Sequence, residues 1–237
     1  MRTRPGDQPK TRSYQQYCPM ASALDAIGDR WALLVVRELM LGPRHFSELA
    51  AALPGIGTDI LSARLRGLAS AGVLNRTGNG RRQGYELTDR GQALRPVLAE
   101  LGRWGAAELD LPASPDQVPA RTGLTTLMLD PPPPPAALAG AFDIRCDGET
   151  ARIEVRDRRL TLVPRDGEPP ERPTAVIELT RAGLLSVLAG AGTQDMADRG
   201  DLVIRGDRHA GALLINTISG PSVLAALLAK LPRPANG

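Results

Sequence analysis

The stretch that decides the fold of the first half is ILSARLRGLASAGVLNRTGNGRRQGYELTDRGQAL, residues 60–94. It begins with Leu61, Leu65 and Leu68, whose spacing is that of one apolar face on an α-helix. Two short runs, VLNRT and YELT, follow on either side of a glycine-containing tip and have the composition of a β-hairpin. The stretch therefore predicts a helix that leads directly into a hairpin.

The residues before this stretch complete a helix–turn–helix unit. PMASALDAIGDRWALLVVRELMLGP, residues 19–43, predicts two helices separated by a glycine. HFSELAAAL, residues 45–53, predicts a short third helix that ends at the turn PGIG. The next helix begins at Thr58 and occupies the position of a DNA-reading helix. With the hairpin as its wing, the unit is predicted to be a mainly α winged helix–turn–helix domain.

The side chains predicted to contact DNA lie opposite the leucine face and at the tip of the hairpin. Arginine and serine in a major groove can bond base edges or phosphates, and small neighbours let the helix approach closely. Two adjacent arginines on a ribbon suit a phosphate backbone or a narrow minor groove. Such a helix face alone is more often plain solvated surface, and it is the following hairpin that favours DNA binding. The predicted residues are Thr58, Asp59, Ser62, Ala63, Arg66, Arg81 and Arg82.

The charge and composition of the chain fit this interpretation. The 237 residues carry a formal charge of +3, and residues 1–112 hold 15 Lys/Arg against 11 Asp/Glu, so the positive excess lies in the first half. No apolar run reaches the roughly 18 residues that span a bilayer, and the polar N-terminus lacks the apolar core of a secretion signal. We expect a cytoplasmic protein with no membrane contact. The two cysteines, Cys18 and Cys146, predict no disulfide framework.

Composition divides the chain into four parts. Residues 1–16 are expected to form a disordered basic arm, residues 17–112 the winged-helix and dimerisation domain, and residues 113–135 a Pro-rich linker. Residues 136–231 alternate apolar and polar side chains in FDIRC, TARIEVRD, RLTLVP and TAVIEL, and later contain helical runs and the strand DLVIRG. The last part is therefore predicted to be an α+β domain.

The first half resembles the HxlR family of bacterial winged-helix regulators. The resemblance is carried by CPM, IGDRW, HFSEL, LSARLRGL and YELTDRG over roughly residues 14–112. It implies a homodimer held by the first helix and a long helix from Thr88 to about Leu109, with two recognition helices on a pseudo-palindromic double-stranded site. The wing departs from the family because it is short and lacks a proline-containing segment. Some relatives sense oxidants or electrophiles with a cysteine at the position of Cys18, which makes this residue a redox candidate.

The second half resembles the sterol carrier protein type-two fold through TAVIELTRAGLLSVLAGAGTQDMADRGDLVIRGDRHAGALLI. The resemblance implies a curved antiparallel sheet with covering helices and an apolar tunnel for a small apolar ligand. Leucines and isoleucines at such positions are more often plain core. The candidate ligand-binding residues are Leu184, Leu185, Leu188, Leu213, Leu214 and Ile218.

The leading hypothesis is a homodimeric transcriptional regulator, a repressor, controlled by a small apolar ligand in the second domain. One alternative makes the second domain structural and Cys18 the thiol sensor. Another is an apolar-ligand carrier whose winged helix mediates protein contacts. The two histidines, His45 and His209, lie in different domains, and no nucleophile–base pair, metal-ligand spacing or phosphate-binding glycine loop is apparent. We therefore expect no enzyme activity, cofactor or metal.

Overall fold

The first half is a winged helix–turn–helix, as predicted. The computed structural model describes residues 13–78, 84–106, 108–110, 114–163 and 172–219. Its first-half strands form a three-stranded antiparallel sheet in the order β1-β3-β2. The elements are α1 (Pro19–Ile27), α2 (Ala32–Leu39), β1 (Arg44–His45), α3 (Phe46–Ala52), α4 (Thr58–Ser70), β2 (Leu74–Thr77), β3 (Gly84–Leu87), α5 (Asp89–Gln92) and α6 (Arg95–Ala106).

The leucine face of α4 is buried, as its spacing predicted. Leu61, Leu65 and Leu68 are at most 2% exposed and pack in one cluster with the apolar side of α2 and α3. Burying a leucine side chain contributes about 1.5–3 kcal/mol, so this face fixes the rotation of α4. The opposite side of the helix is consequently turned outward.

The junction between β3 and α5 is tied to the end of α4 by two residues of the motif YELTDRG. The Thr88 hydroxyl accepts a hydrogen bond from the Gly91 amide at 3.1 Å and lies 2.7 Å from the Gly72 carbonyl oxygen, to which it donates. A Cβ atom on Gly91 would lie 2.1 Å from the Val73 carbonyl oxygen. Only glycine allows this close approach.

The prediction of one long helix from Thr88 to about Leu109 is wrong. The structure has two helices, α5 and α6, because Pro96 has no N–H to donate to the carbonyl of Gln92. A continuous helix would also place the proline ring against that carbonyl. The chain therefore starts a new helix at Arg95.

The second half is α+β. The strands and helices predicted from FDIRC onward are all present, and two further helices precede them. The elements are a 3₁₀ helix (Pro115–Gln117), α7 (Ala120–Leu129), β4 (Gly140–Cys146), β5 (Glu149–Arg156), β6 (Arg159–Leu162), β7 (Ala175–Leu179), α8 (Arg181–Leu188), α9 (Thr193–Asp198), β8 (Leu202–Gly206) and α10 (Arg208–Ile218).

The five-stranded sheet has the order β6-β5-β4-β7-β8. It is a mixed sheet, so the prediction of an antiparallel sheet is wrong for one pair of strands. β4 and β7 are parallel, whereas the other neighbours are antiparallel. β7 lies on the side of β4 opposite β5 and β6 and runs in the same direction as β4. Phe142 and Ile144 point from β4 into the core, where α7, α8 and α10 cover the sheet.

Helix α7 lies inside the range expected to be a Pro-rich linker. Leu124, Leu127 and Met128 are at most 2% exposed and belong to the core of the second half, while Leu129 belongs to the core of the first. Leu41, just after α2, packs in the second core. Each half thus contributes a side chain to the other half's core. The apolar pattern of LTTLMLD, residues 124–130, is compatible with a helical turn or a strand, and the structure makes it part of a helix.

Candidate nucleic-acid interface

The outward side of α4 presents small side chains and one exposed arginine. Thr58, Asp59 and Arg66 are exposed, and Ser62 and Ala63 are half-buried. The structure therefore brings the five helical residues predicted to contact DNA onto one surface. No large side chain other than Arg66 stands among these five, so the helix has the narrow profile that a major groove admits.

Two arginines of α4 have different surroundings. Arg64 forms an ion pair with Asp29, in the loop before α2, and its side chain is 24% exposed. Arg66 lies on the exposed side of the helix. Arg64 consequently fastens α4 to the rest of the domain, and Arg66 is the arginine placed to reach a base edge or a phosphate.

The wing adds a basic residue that sequence reasoning missed. Arg76 is exposed on β2, directly opposite Tyr85 of β3. The sequence signal for Arg76 is its place in a hairpin strand that leads toward a tip with two arginines. Arg81 and Arg82, predicted at that tip, lie outside the described residues.

A largely buried cluster of charged side chains lies where the two halves meet. Glu38, at the end of α2, has a side chain only 3% exposed. Its carboxylate accepts from Arg37 at 2.8 Å and from Arg44 at 2.9 Å. Arg44 also donates to Glu149 of β5 at 2.8 Å. Because Arg44 belongs to β1, the edge strand of the wing sheet, the cluster connects the wing sheet to the second half.

Arg121 of α7 completes the cluster. Its Nε donates to the backbone carbonyl of Glu38 at 2.9 Å, and its two terminal nitrogens donate to Glu149 at 3.0 Å and to the Gly42 carbonyl at 3.2 Å. Burial lowers the pKa of Arg121, the nearby Arg44 lowers it further, and Glu149 and Glu38 oppose the shift. A guanidinium in such a place is stable only with these partners. We refer to Arg37, Glu38, Arg44, Arg121 and Glu149 together as the junction cluster.

Asp143 is a second buried charge, in the middle of β4 and on the face opposite Phe142. It is 1% exposed and accepts from Arg152 at 2.8 and 3.0 Å and from Arg145 at 3.1 Å. Burial, the largest influence, would raise the pKa of Asp143, but the hydrogen bonds and charges of the two arginines outweigh it, so the pKa lies below its ordinary value.

The lowered pKa of Asp143 predicts acid sensitivity. A carboxylate whose folded pKa is depressed stabilises the fold fully above its unfolded pKa of about 3.9 and loses that contribution as the pH falls through the folded value. We expect Asp143→Asn to lower the free energy of unfolding at pH 7 and the difference from the natural chain to shrink below about pH 5. Urea titrations between pH 7 and 3 measure this, and a difference that does not change with pH contradicts it.

The six residues predicted to bind an apolar ligand surround the inner face of the second-half sheet. Leu184, Leu188, Leu214 and Ile218 are at most 2% exposed, and Leu185 and Leu213 are partly buried against them. The structure brings all six together in one core. A cleft of about 420 Å³ lies elsewhere on the sheet, and none of the six lines it.

The two cysteines differ in environment. Cys18 is exposed and occupies the N-cap position of α1 without a capping side-chain hydrogen bond, directly before Pro19 at the first helical position. Cys146 is buried, and burial, reinforced by Asp147 and opposed by Arg181, raises the pKa of its thiol. Cys146 is therefore a packing residue, and Cys18 is the accessible thiol.

No helix in the described ranges has the length and apolar character needed to cross a membrane. Among the same residues there is no group of three or more His, Cys, Asp or Glu side chains that could hold a metal ion.

The first half of the chain is similar to known regulators. Residues 26–112 match the family described as HxlR-like helix-turn-helix. YvaP of Bacillus subtilis, an uncharacterized HTH-type transcriptional regulator, is 38% identical over 99 residues, which are 40% of this chain and 92% of YvaP. YodB of the same organism, an HTH-type transcriptional regulator, is 34% identical over 37% of this chain and 81% of YodB. The YodB chain in the crystal structure with quinone bound is 35% identical in sequence to this chain. The match covers 37% of this chain and 96% of the YodB chain, with a TM-score of 0.34.

Proposed function

The chain belongs to the HxlR-like helix–turn–helix family through residues 26–112, and from that premise we propose that it is a homodimeric transcriptional repressor controlled by a small ligand in its second half. Its relatives are HTH-type transcriptional regulators, which supports a DNA-binding regulator. The observation that carries the proposal is the outward face of α4, with Arg66 exposed among small side chains. The proposal assigns no catalytic step to the chain.

The dimer is supported by exposed apolar side chains on α1 and α6, the regions expected to form the interface. Val97, Leu101 and Trp104 of α6 are 42%, 45% and 77% exposed and follow one another at four- and three-residue intervals. Met20 and Leu24 of α1 are also exposed. A stripe of this kind on a helix is an interface pattern, and a second copy of the chain is the partner that membership of the family suggests.

A charge placed on this stripe is expected to separate the dimer. Trp104→Glu puts a carboxylate at the most exposed position of α6, where dimerisation would bury it without a partner. We expect a shift from dimer to monomer, measured by size-exclusion chromatography with light scattering.

The matched control for this change is Val203→Glu. Val203 is 44% exposed on the edge strand β8, far from α6 in the chain. This variant should remain a dimer. A Trp104→Glu variant that also remains a dimer contradicts the proposed interface.

Ligand control requires that the second half can bias the first. Helix α7 contacts both α2 and α6, and Arg103 of α6 pairs with Asp130 at the end of α7. The junction cluster adds a link from β5 to the wing sheet through Arg44. A ligand that favours one placement of α7 would therefore act on the dimer helix and on the wing.

We propose the sterol-carrier-like fold for the second half as the ligand-binding unit. The strand–helix–helix–strand order from β7 to β8 supports it. The apolar character of the core around α8 and α10 also supports it.

Hydroxyl-radical footprinting on the DNA upstream of the gene tests the binding mode. A symmetric dimer should protect two segments whose centres lie about one helical turn, 10–10.5 base pairs, or a multiple of that distance apart. A single protected segment contradicts a dimer that uses both copies of α4.

The exposed thiol of Cys18 favours a second candidate, a regulator that senses oxidants or quinones. Its position beside Pro19 at the start of α1 places it next to the proposed dimer interface, and a relative, YodB, has been crystallised with quinone bound. Modification there would alter the contact between two copies of the chain.

Cys18→Ser tests this candidate. If the thiol is the sensor, a quinone or a disulfide-forming oxidant should lower the DNA affinity of the natural chain at least about tenfold and leave the variant unchanged. Cys146→Ser is the matched control, since that thiol is buried. Equal responses of the natural chain and Cys18→Ser remove the candidate.

A further inference from the structure

A cleft opens on the second-half sheet where β4 begins and β5 ends. Its volume of about 420 Å³ falls within the range of small-molecule sites in proteins, about 300–1,000 Å³. The wall is mixed, with small apolar side chains beside arginine and carboxylate groups. The lining residues are Ala139, Gly140, Ala141, Arg152, Glu154, Val155, Arg156, Asp157, Val163 and Pro173.

Arg152 is the lining residue whose position is most firmly fixed. Its Nε and Nη2 donate to the two carboxylate oxygens of Asp143, at 2.8 and 3.0 Å. Such a two-point bond holds the plane of the guanidinium in one orientation. Its third nitrogen, Nη1, takes no part in either bond, and 23% of the side chain remains exposed.

The charges that line the cleft are balanced, so recognition of an anion rests on the geometry of Arg152. Asp143 carries one negative charge and is flanked by Arg145 and Arg152, so the group has a net charge of +1. Arg156 is a second arginine at the rim, paired with Glu154 at 2.6 Å, and Asp157 adds a second carboxylate to the lining. The buried carboxylate therefore orients Arg152, and Nη1, which lies outside that pair, is the donor that remains for an anionic ligand.

Removing the carboxylate of Asp143 from water costs free energy. Apolar residues at these positions would often stabilise a sheet as much as a buried ion pair does. An arginine held by a carboxylate at the wall of a cleft is, in contrast, an arrangement that recognises another carboxylate. The apolar walls formed by Ala139, Ala141 and Val163 can cover a small hydrophobic body.

We propose that this cleft binds a small organic anion, a compact apolar body that carries one carboxylate, with Arg152 as the anchor. The ligand's carboxylate accepts from Arg152, and its apolar part lies against Ala139, Ala141 and Val163. This site differs from the six core residues Leu184, Leu185, Leu188, Leu213, Leu214 and Ile218. Control of DNA affinity by this ligand rests on the proposed function. Binding of the ligand to the cleft does not.

The test is a fluorescence titration of the full chain with 2-naphthoate, and with 2-naphthamide as its neutral counterpart of similar shape. We expect naphthoate to saturate one site per chain and naphthamide to bind at least about tenfold more weakly, a ratio that corresponds to about 1.4 kcal/mol. Equal binding of the two probes, or no binding of naphthoate at millimolar concentration, overturns the proposal.

Substitutions test whether naphthoate binds in the cleft. Arg152→Gln alone leaves Asp143 with a single partner, so the principal variant is Asp143→Asn with Arg152→Gln, which removes both charges together. We expect this variant to lose at least about tenfold in naphthoate affinity. Arg205→Gln is the matched control, because Arg205 pairs with Glu178 on β7 and does not line the cleft.

A further variant narrows the cleft without changing its charge. Ala139→Leu should weaken naphthoate and naphthamide alike, because the added side chain occupies the space of the apolar body. Naphthoate affinity that is the same in the double variant as in the natural chain places the ligand elsewhere and overturns the proposal.

The same titrations separate this inference from the proposed function. Operator binding is measured by anisotropy with and without saturating naphthoate. If naphthoate binds through Arg152 and DNA affinity does not change, the cleft is confirmed and ligand control through it is contradicted. If DNA affinity changes equally in the natural chain and the double variant, the effect does not come from the cleft and ligand control through it is contradicted, while the affinity of naphthoate for the two chains still decides whether the cleft binds it.

Discussion

Arg121→Met is expected to lower the free energy of unfolding by about 3–5 kcal/mol, the usual cost of breaking a buried ion pair. Methionine keeps the length of the stem and removes the donors to Glu149 and to two backbone carbonyls. The two carbonyls then lose their arginine donor and Glu149 keeps only Arg44 as a partner, in a place that little water reaches, since the Arg121 side chain is 8% exposed. Urea unfolding followed by circular dichroism and tryptophan fluorescence measures the change.

Arg205→Met is the control for this prediction. Arg205 makes an ion pair of 3.0 Å with Glu178, but its side chain is 69% exposed, so we expect a decrease of only about 0–1 kcal/mol. The same decrease in both variants would mean that the junction cluster does not hold the two halves together. Because both tryptophans, Trp31 and Trp104, lie in the first half, fluorescence and circular dichroism should also report one shared transition in the natural chain.

Arg66→Ala is expected to remove sequence preference on DNA. An arginine that bonds a base edge contributes about 1–3 kcal/mol of discrimination at its position, and a homodimer uses it in both half-sites. The affinity for the operator should fall toward that for a shuffled duplex, while the affinity for the shuffled duplex changes little. Competition titrations at fixed salt concentration measure both values.

Wing substitutions serve as the comparison for Arg66→Ala. Replacing Arg76, or Arg81 and Arg82 together, should weaken operator and shuffled DNA alike. The slope of log affinity against log salt concentration should become shallower by about one for each phosphate that is no longer neutralised. Arg90→Ala, an exposed arginine on α5, controls for the removal of one positive charge. Equal weakening on both duplexes from Arg66→Ala would assign that residue to the phosphate backbone.

The elements that sequence predicted best are those with a local signal. The spacing of Leu61, Leu65 and Leu68 predicted the rotation of α4, and so indicated which side chains face outward. The alternating runs predicted the strands of the second-half sheet in the right places. Local pattern gives the faces of a helix or strand because the side-chain period is set by the backbone.

The missed features depend on contacts between distant parts of the chain. Arg121 meets Glu38 across 83 residues, and Arg44 meets Glu149 across 105 residues. A periodic pattern tells which face is buried but not what covers it, so neither the junction cluster nor the cleft was predictable. The parallel pairing of β4 with β7 was missed for the same reason, because strand order is a property of the whole sheet.

Helix α7 was predictable only in part, because the pattern of LTTLMLD left a helical turn and a strand open. The prolines at 112–119 and 131–135 gave the region the composition of an extended linker. Leu124, Leu127 and Met128 nevertheless supply enough apolar surface to bury a ten-residue helix between the two cores. Proline is compatible with this arrangement because it stands before the first turn of α7 and after its last.

The central claim is that the chain binds a specific DNA sequence as a regulator, and fluorescence anisotropy tests it most directly. The full chain is titrated onto a labelled duplex from the intergenic DNA upstream of its gene, and onto a shuffled duplex of the same composition. We predict that the upstream duplex is bound at least about a thousandfold more tightly, the lower limit for specific DNA-binding proteins. Equal affinity for the two duplexes, for natural chain and Arg66→Ala alike, would contradict it.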